Sequence, residues 1–349
     1  MTDGQHDKVT IQDVALRAGV SAMTVSRVLN NSVRVAPETR KRVEQAIEEL
    51  GYLPNALASG LLKGRTSTIG LIVSDISNPF FTMVVRGVED TAQRNSYTVF
   101  IGNSDESVEK ERQYVTALLG KRIDGLLIAP ASDASRETLE MVRRRGCPFV
   151  LVDRDVAGIT ADSVIGDNVG GAYTLTRHLL ELGHTRIALV NGQPSVRTAR
   201  DRRRGYEKAL LEYGLEPDPA LIVETGYHRA GGQQAAHHLL SLPAAVRPTA
   251  IFACNNFLAV GVVEALRAAQ LSIPEDMALV SFDDIELASA LHPFLTVMAQ
   301  PVRSFGTIAA QLLFERLTGE GPSQPRQVIL TPELIVRHSC GARLRQQPA

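Results

Sequence analysis

Two short helices joined by a tight turn are predicted by the run Thr10-Ile11-Gln12-Asp13-Val14-Ala15-Leu16-Arg17-Ala18-Gly19-Val20-Ser21-Ala22-Met23-Thr24-Val25-Ser26-Arg27-Val28-Leu29-Asn30. Thr10 and Asp13 have the spacing of a capping box, and the apolar residues that follow recur at helical intervals. Gly19 ends this first helix, and Ser21 can cap a second one. The pattern therefore predicts a helix-turn-helix whose second helix buries Val25, Val28 and Leu29.

The outer face of the second helix carries side chains suited to nucleic acid. The residues that point away from the predicted core are Ala22, Met23, Ser26 and Arg27. A guanidinium can donate two hydrogen bonds to the O6/N7 edge of a guanine. A third helix is predicted from Pro37 to the helix-ending Gly51. On spacing alone, the alternative is a three-helix domain that binds no ligand.

Composition indicates an ordinary globular protein of about two or three domains, at roughly 100–200 residues each. The chain has 349 residues, 44% of them hydrophobic and 21% charged, with a formal net charge of −1. Residues 1–65 hold nine basic against seven acidic residues, and five of the basic ones fall between Arg27 and Arg42 beside one acidic residue. This local excess can meet phosphates, although a solvated surface often has the same composition.

The sequence lacks the usual signals of secretion or membrane insertion. It has no run of about 18 apolar residues, and its first eight residues are polar. The three cysteines, Cys147, Cys254 and Cys340, are far apart and form no CxxC pair. We therefore expect a cytoplasmic protein without a disulfide framework or a cysteine-rich zinc site.

Residues 10–30 closely resemble the DNA-binding headpiece of the lactose-repressor (LacI/GalR) family, most specifically from Asp13-Val14-Ala15 through Thr24-Val25-Ser26-Arg27. The resemblance implies that bases in the major groove are read by Ala22, Met23 and Arg27. It further implies phosphate contacts, which set the register on the duplex, from Thr10, Ser21, Thr24, Ser26 and Asn30. Arg34, in the basic stretch, is included among the predicted DNA contacts.

Residues 54–66 are predicted to form a hinge or linker. Asn55 can cap a segment of about eight residues, which is too short to be a stable helix alone in water, and Gly60 weakens it further. One interpretation is a flexible linker. The resemblance instead implies a hinge helix that folds on DNA beside its dimer mate, with Leu61 wedged between base steps of the minor groove. The predicted DNA contacts there are Asn55, Ala58 and Leu61, while Ser59 and Gly60 depart from the longer side chains common in relatives.

From Thr68 onward, short apolar runs alternate with helical stretches, which predicts parallel sheets with helices on both faces. The predicted strands lie at residues 69–73, 97–101, 126–128, 149–152, 187–190, 221–223, 250–253 and 278–281. The fold class is therefore an all-α helix-turn-helix headpiece followed by an α/β core of two doubly wound lobes, which resembles type I periplasmic binding proteins. The predicted boundaries are 1–53 for the headpiece, 54–66 for the hinge, 67–340 for an effector-binding and dimerisation core, and 341–349 for a tail. Within the core, the first lobe is predicted at about 67–166 and 297–324, and the second at about 167–296 and 325–340.

Polar and aromatic side chains follow the predicted strands, at the edge where parallel α/β sheets bind ligands. Aromatic faces beside Asp, Asn and Arg suit a sugar, because rings stack on its CH faces while planar groups bond its hydroxyls. Singly, each polar residue is better explained as a loop group or a helix cap.

From about Thr68 to Arg337, the chain resembles the effector-binding core of the same repressors and the related periplasmic sugar-binding proteins, especially the ribose type. The resemblance implies that Phe80 and Tyr227 sandwich a sugar ring, with Phe81 and Phe282 nearby. It implies hydroxyl contacts from Asn78, Asp153, Arg154, Arg202, Asn255, Asp283 and Gln300. Ala129 departs from the polar amide common in ribose binders, and Arg197 and Arg200 leave an acidic or phosphorylated sugar open.

The motifs of common enzyme classes are absent from the sequence, including GxSxG, HExxH, GxxxxGK[ST] and GxGxxG. His237 and His238 are adjacent on a predicted helix and so point in different directions, which disfavours a shared metal. Asp153 and Asp283 are conceivable as the paired carboxylates of a glycosidase, but an aromatic sandwich favours holding a sugar over transforming it. We expect no catalytic residues, no cofactor and no metal.

The sequence thus predicts a dimeric repressor, possibly of higher order, that binds pseudo-palindromic operator DNA and associates with the bacterial nucleoid when bound. Its partners are double-stranded operator DNA and a small sugar or sugar derivative, with a pentose such as ribose as the lead. Induction by the sugar and corepression are equally allowed.

Overall fold

Three helices make up the N-terminal part of the computed structural model, which describes residues 9–29, 35–53 and 65–342 and omits the side chains of residues 287 and 288. The helices are α1 (Ile11–Ala18), α2 (Ala22–Leu29) and α3 (Pro37–Leu50). Residues 1–66 form one unit and residues 67–349 a second, and each is described by itself.

Local capping explains where these helices begin and end. The Thr10 hydroxyl accepts a hydrogen bond from the Asp13 amide, and the Asp13 carboxylate accepts one from the Thr10 amide at 2.7 Å, which confirms the predicted capping box. Gly19 and Gly51 adopt left-handed conformations, with φ of 65° and 61°, and end α1 and α3. Fully buried Val14, Val25 and Val43, one from each helix, meet in the core.

The second unit contains two six-stranded sheets flanked by helices. Its strands are β1 (Thr68–Val73), β2 (Thr98–Asn103), β3 (Gly125–Ile128), β4 (Phe149–Asp153), β5 (Asp162–Gly166), β6 (Ile187–Asn191), β7 (Ile222–Glu224), β8 (Ala250–Ala253), β9 (Ala278–Phe282), β10 (Thr296–Ala299), β11 (Gln327–Leu330) and β12 (Glu333–Ile335). Its helices are α4 (Pro79–Arg94), α5 (Val108–Gly120), α6 (Arg136–Arg144), α7 (Asn168–Glu181), α8 (Arg197–Glu212), α9 (Arg229–Ser241), α10 (Asn256–Ala268), α11 (Glu286–Leu291) and α12 (Val302–Thr318). Short 3₁₀ turns occur at Asp133–Ser135 and Pro219–Leu221.

The first sheet has the order β11-β5-β4-β3-β1-β2 and the second β12-β10-β9-β8-β6-β7. Neighbouring strands are parallel except β12, which runs antiparallel to β10. Continuous apolar strands such as β3 and β8 are buried along their whole length because helices cover both faces. The predicted doubly wound lobes are thereby confirmed.

The predicted lobe boundaries near the C-terminus are wrong in two places. Strand β11, expected in the second lobe, pairs with β5 and so belongs to the first. Strand β10, whose residues 297–299 were expected in the first lobe, pairs with β9 in the second. The pairing of β11 with β5 spans more than 150 residues, and the pairing of β10 with β9 spans 16, so the local sequence pattern indicates neither assignment. The first lobe therefore takes α12, whose Phe305 and Leu313 pack into its core, together with β11.

In the described ranges, no helix has both the length and the apolarity needed to cross a membrane.

Candidate functional site

Helix α2 presents the side of the headpiece that the sequence predicts to read DNA. Arg27 is exposed, Met23 is 65% exposed, and Val25 and Val28 are buried on the opposite side. Ala22 differs from the prediction, because it is half-buried and packs against the headpiece core. It lies one turn before Val25 and shares that residue's face. Arg27 and Met23 are thus the most accessible of the predicted base contacts.

Three of the predicted phosphate contacts already take part in helix caps. The Ser21 hydroxyl accepts from the Thr24 amide at 3.2 Å and lies 3.0 Å from the Thr24 hydroxyl. Thr10 caps α1 and is exposed, and Ser26 is half-buried. The hydroxyls of Thr10 and Ser21 lie at helix N-termini, where backbone amides also favour phosphate. The remaining predicted DNA contacts, Asn30, Arg34, Asn55, Ala58 and Leu61, lie outside the described residues.

A cleft of about 380 Å³ lies between the two lobes, at the carboxyl ends of their strands. Nine of the eleven predicted effector residues line it: Asn78, Phe80, Phe81, Asp153, Arg154, Arg202, Tyr227, Asn255 and Asp283. The cleft therefore brings together, from elements spread over more than 200 residues, the set that resemblance to sugar binders implies.

Asp153 and Asp283 occupy equivalent places in the two lobes, one at the end of β4 and the other directly after β9. Both adopt a left-handed backbone, with φ of 67° and 66°, which is uncommon outside glycine and tolerated by Asp. Each is 6% exposed. Burial raises the pKa of Asp153 to about 6, opposed by Arg154 and Arg202, and burial likewise raises the pKa of Asp283. Each lobe thus contributes one buried carboxylate to the cleft.

Arg202 in α8 is held in position from several sides. Its Nε donates to Asn168 Oδ1 at 2.8 Å, Nη1 donates to the Cys254 carbonyl, and Nη2 lies 3.9 Å from Asp283. Its guanidinium stacks on Phe282, 3.9 Å from the ring centre. A guanidinium fixed in this way can donate to a ligand with little loss of side-chain entropy.

Two predicted effector residues support this arrangement and do not line the cleft. Phe282 is completely buried and serves as the platform beneath Arg202. Gln300 donates from Nε2 to Asp283 Oδ1 at 2.7 Å. Neither residue is among those that line the cleft, and each contacts one that does, so direct ligand contact by Phe282 and Gln300 stays a prediction.

The aromatic residues of the cleft come from opposite lobes. Phe80 and Phe81, in the first turn of α4, pack edge to face with ring centres 5.1 Å apart. Tyr227 follows β7 in the second lobe, and its hydroxyl lies 3.4 Å from Asn191 Oδ1. A ring-shaped ligand would therefore meet aromatic surface from both lobes.

Asn78 both caps α4 and joins the lobes. Its Oδ1 accepts from the Phe80 amide at 2.9 Å and from Asn256 Nδ2, in the second lobe, at 3.0 Å. Asn255, beside Asn256, caps α10 through the Leu258 amide. The capping geometry that starts each helix thus also orients a side-chain amide at the cleft.

Arg197 and Arg200 bridge the lobes and do not offer free positive charge to a ligand. Arg197 pairs with Asp155 at 2.6 Å and with Asp201 at 2.8 Å. Arg200 pairs with Asp133 at 2.7 Å, and the Asp133 amide donates to the Ser195 carbonyl at 3.1 Å. Because Asp133 and Asp155 lie in the first lobe, we call the pairs Arg197–Asp155 and Arg200–Asp133 the latch pairs.

Sequence reasoning missed three residues that line the cleft, Asp75, Glu106 and Thr198. Asp75 lies in the loop after β1, and Thr198 lies in the first turn of α8, which follows β6, so the strand-end rule already pointed to both. Asp75 accepts from the Ser77 amide and hydroxyl at 2.9 and 2.6 Å. Glu106 forms a two-point ion pair with Arg154, at 2.6 and 2.8 Å. Nothing local in the sequence predicts that pairing across 48 residues.

Within the part of the chain that the structure describes, no three His, Cys, Asp or Glu side chains lie close enough together to hold a metal ion. His178 contacts Cys340, with Nε2 3.3 Å from Sγ, and His184 contacts the Thr249 hydroxyl. These histidines serve as packing and hydrogen-bonding groups of the second lobe.

An exposed recognition helix and a polar, aromatic cleft in a two-lobed core together define a ligand-responsive DNA-binding regulator. Comparison with known proteins identifies the family. Residues 10–55 match the bacterial regulatory proteins of the lacI family, and residues 176–340 match the periplasmic binding protein-like domain. The HTH-type transcriptional repressor PurR of Aliivibrio fischeri (strain MJ11) is 36% identical over 337 residues, which is 96% of this chain and 99% of the relative. The chain therefore belongs to the lacI family of transcription regulators and is not an enzyme.

Solved structures agree with this assignment. The lac repressor dimer bound to operator and the anti-inducer ONPF is 28% identical with a TM-score of 0.82, over 96% of this chain and 99% of that one. A LacI family transcriptional regulator from Enterococcus faecium with bound ribose is 30% identical with a TM-score of 0.68, over 78% of this chain and 98% of that one.

Proposed function

We propose that this protein is a homodimeric repressor whose affinity for operator DNA is set by a small sugar held between the lobes of its core. The observation that carries the proposal is the cleft, where aromatic rings and buried planar donors and acceptors converge from both lobes. That combination binds a polyhydroxylated ring by stacking on its faces and bonding its edge.

A pentose is the leading ligand. Phe80 and Tyr227 supply aromatic surface, while Asp153, Asp283 and Arg202 supply hydroxyl partners. The relative from Enterococcus faecium binds ribose, which supports the same class of ligand here.

Operator recognition is assigned to the headpiece. Arg27 and Met23 would read base edges in the major groove, with Ala22 contributing a small apolar contact where it is exposed. Thr10, Ser21, Thr24, Ser26, Asn30 and Arg34 would bind phosphates, and Asn55, Ala58 and Leu61 would act in the minor groove at the hinge. The lac repressor dimer with 28% identity is bound to operator, which supports this division.

Dimerisation is supported by apolar surface on the core. Strand β2 lies at the edge of the first sheet, and Phe100 and Ile101 on it are 45% and 48% exposed. Leu211 and Tyr213, at the end of α8, are 53% and 46% exposed. Exposed edge strands with apolar side chains are usual places for association. A two-fold dimer would require a roughly palindromic operator and would bring the protein to the nucleoid.

Control of DNA binding would come from lobe movement. The contacts Asn78–Asn256, Arg197–Asp155 and Arg200–Asp133 hold the lobes together across the cleft. A ligand that touches both lobes binds this arrangement better than an open one and shifts the population toward it. The change would reach the hinge segments of the dimer and alter their pairing on DNA.

The experiment is a thermal-shift screen of pentoses, hexoses, sugar acids and sugar phosphates on the full-length protein, followed by operator-binding titrations with each hit. We expect at least one sugar to stabilise the protein and to change operator affinity at least fivefold. The direction of the change decides between induction and corepression. A sugar that binds without altering operator affinity would contradict the allosteric proposal, and the lack of any sugar hit would contradict the ligand class.

A further inference from the structure

Glu106 occupies the face of Arg154 that an anionic ligand would use. Arg154 Nη1 lies 2.6 Å from Glu106 Oε2, and Nη2 lies 2.8 Å from Oε1, so the carboxylate takes both parallel donors of the guanidinium. Arg154 is nearly buried, with 5% of its side chain exposed, while Glu106 is 32% exposed. Nη1 also donates to the Pro130 carbonyl at 3.2 Å. A ligand carboxylate or phosphate would need this same two-point geometry.

The net charge of the residues that line the cleft also disfavours an anionic ligand. Four carboxylates, those of Asp75, Glu106, Asp153 and Asp283, face only two guanidiniums, those of Arg154 and Arg202, which leaves two negative charges in excess. Arg202 is held by Asn168, the Cys254 carbonyl and the neighbouring Asp283. The other two arginines near the cleft, Arg197 and Arg200, are engaged in the latch pairs. An incoming anion would therefore meet repulsion at a site where both cations already have partners.

We propose that Glu106 determines specificity by closing the fork of Arg154, so that the cleft accepts neutral sugars and rejects sugar acids and sugar phosphates. This inference rests on the proposed function, because it concerns which sugars the same cleft selects. The carboxylate of Glu106 occupies the position on Arg154 that the acidic group of an anionic effector would take. Removal of its charge frees one edge of Arg154 and changes the excess charge of the cleft by one unit. In the sequence, Arg197 and Arg200 allow an acidic or phosphorylated sugar as the ligand. The closed fork of Arg154 excludes both of these ligand classes.

The test uses the full-length protein, the variant Glu106→Gln and the control Glu109→Gln. The control removes the same charge three residues away, from an exposed side chain at the start of α5. The probes are four matched pairs, D-ribose with D-ribonate, D-xylose with D-xylonate, D-glucose with D-gluconate and D-galactose with D-galactonate, together with inorganic phosphate. Affinities are measured by isothermal titration calorimetry at constant ionic strength.

The unmodified protein is expected to bind the neutral member of at least one pair at least tenfold more tightly than its acid, and to show no saturable phosphate binding. Glu106→Gln should reduce that preference at least tenfold and acquire saturable phosphate binding that the neutral sugar displaces. Glu109→Gln should behave as the unmodified protein does.

Three results would overturn the inference. They are a wild-type protein that binds an acid or phosphate as tightly as a neutral sugar, a Glu106→Gln variant with unchanged preference, and a control that changes as Glu106→Gln does. If no neutral sugar binds, the proposed ligand class fails, and phosphate binding by Glu106→Gln still decides the role of Glu106. The wild-type preference within each pair needs no variant, so its absence would overturn the inference even if Glu106→Gln does not fold.

Discussion

The latch pairs predict that effector affinity depends on residues that do not touch the effector. Arg197 and Asp155 are 2.6 Å apart across the cleft, and neither residue lines it. The perturbation is Asp155→Asn, which preserves size and removes the charge. The matched control is Asp201→Asn, because Asp201 pairs with the same Arg197 at 2.8 Å but lies on the same helix. Only the first substitution weakens a contact between lobes.

The expected loss of free energy on removal of the Arg197–Asp155 pair follows from the solvent exposure of the two side chains. Two unit charges near a protein surface attract by up to about 4 kcal/mol at 4 Å before desolvation and side-chain entropy are counted, and measured exposed pairs give about 0.2–1 kcal/mol. Arg197 is 37% exposed and Asp155 is 18% exposed, so about 1 kcal/mol is the appropriate value. A loss of that size in the closed state raises the apparent dissociation constant of a ligand bound between closed lobes by up to about fivefold. Asp133→Asn should do the same through Arg200, and the double variant should reach about 25-fold if the two pairs act independently.

The assay is calorimetric titration of the sugar found in the screen, at 0.05 and 0.5 M salt, with small-angle scattering of the ligand-free protein. We expect Asp155→Asn to bind more weakly, with a larger radius of gyration, and the difference from wild type to shrink at high salt because exposed pairs are screened. Equal losses for Asp155→Asn and Asp201→Asn, or no loss for either, would refute the role of the latch pairs.

Three further predictions address single residues. Arg27→Ala should cost about 1–3 kcal/mol of operator binding free energy if its guanine contact has two hydrogen bonds, while sugar affinity stays unchanged. Asp283→Ala should abolish the response to sugar while DNA binding persists. Fluorescence anisotropy with operator DNA and calorimetry with sugar, on both variants, check this. Asp153, with a pKa raised to about 6, accepts hydrogen bonds from sugar hydroxyls through both oxygens only when it is ionised, so sugar affinity should fall as the pH decreases from 7.5 to 5. Asp153→Asn should reduce that dependence to the part due to Asp283, whose pKa is also raised by burial, and a pH-independent wild-type affinity would contradict the assignment. Phe282→Leu removes the ring beneath Arg202 and should weaken sugar binding about tenfold with operator binding intact, given about 0.5–2 kcal/mol for such a stack; retained affinity would show that the stack does not position Arg202.

The sequence predicts those parts of the fold that depend on near neighbours. The predicted positions of two kinds of feature are confirmed. The helix caps at Thr10 and Gly19 depend on contacts within a few residues, and the apolar runs of β3 and β8 reflect full burial of each strand. The sequence does not predict strand β5 because Asp162-Ser163 interrupts its apolar character. Buried Asp162 accepts a hydrogen bond from the Arg326 amide and forms an ion pair with Arg316. That partner lies 154 residues away, so the local pattern reads as a loop.

The prediction of the candidate site from the sequence has the same limit, because local patterns do not show contacts between distant segments. The strand-end rule located eight of the nine predicted lining residues because it depends on topology, which the βα alternation reveals, whereas Tyr227 was implied only by the family resemblance. The sequence predicts that Arg197 adds positive charge near a ligand and that Arg154 bonds its hydroxyls, but in the fold Asp155 pairs with Arg197 and Glu106 pairs with Arg154. Which acid meets which arginine depends on loop geometry between distant segments, and both acids look like ordinary surface residues in the sequence.

The latch pairs and the Glu106–Arg154 pair affect two different properties of the regulator, its sensitivity to the effector and its choice of effector. A ligand shifts the lobes only by the difference between its affinities for the two arrangements, and a shift from 1:99 to 99:1 requires a preference of about 10⁴-fold. Latch pairs that contribute about 2 kcal/mol together change the starting ratio by about 25-fold without contacting the ligand. Substitution at Asp133 or Asp155 therefore changes the effector concentration needed for a response, while substitution at Glu106 changes which effector is recognised. Sensitivity and specificity are thus set by different acidic residues of the same lobe, and each can be altered without the other.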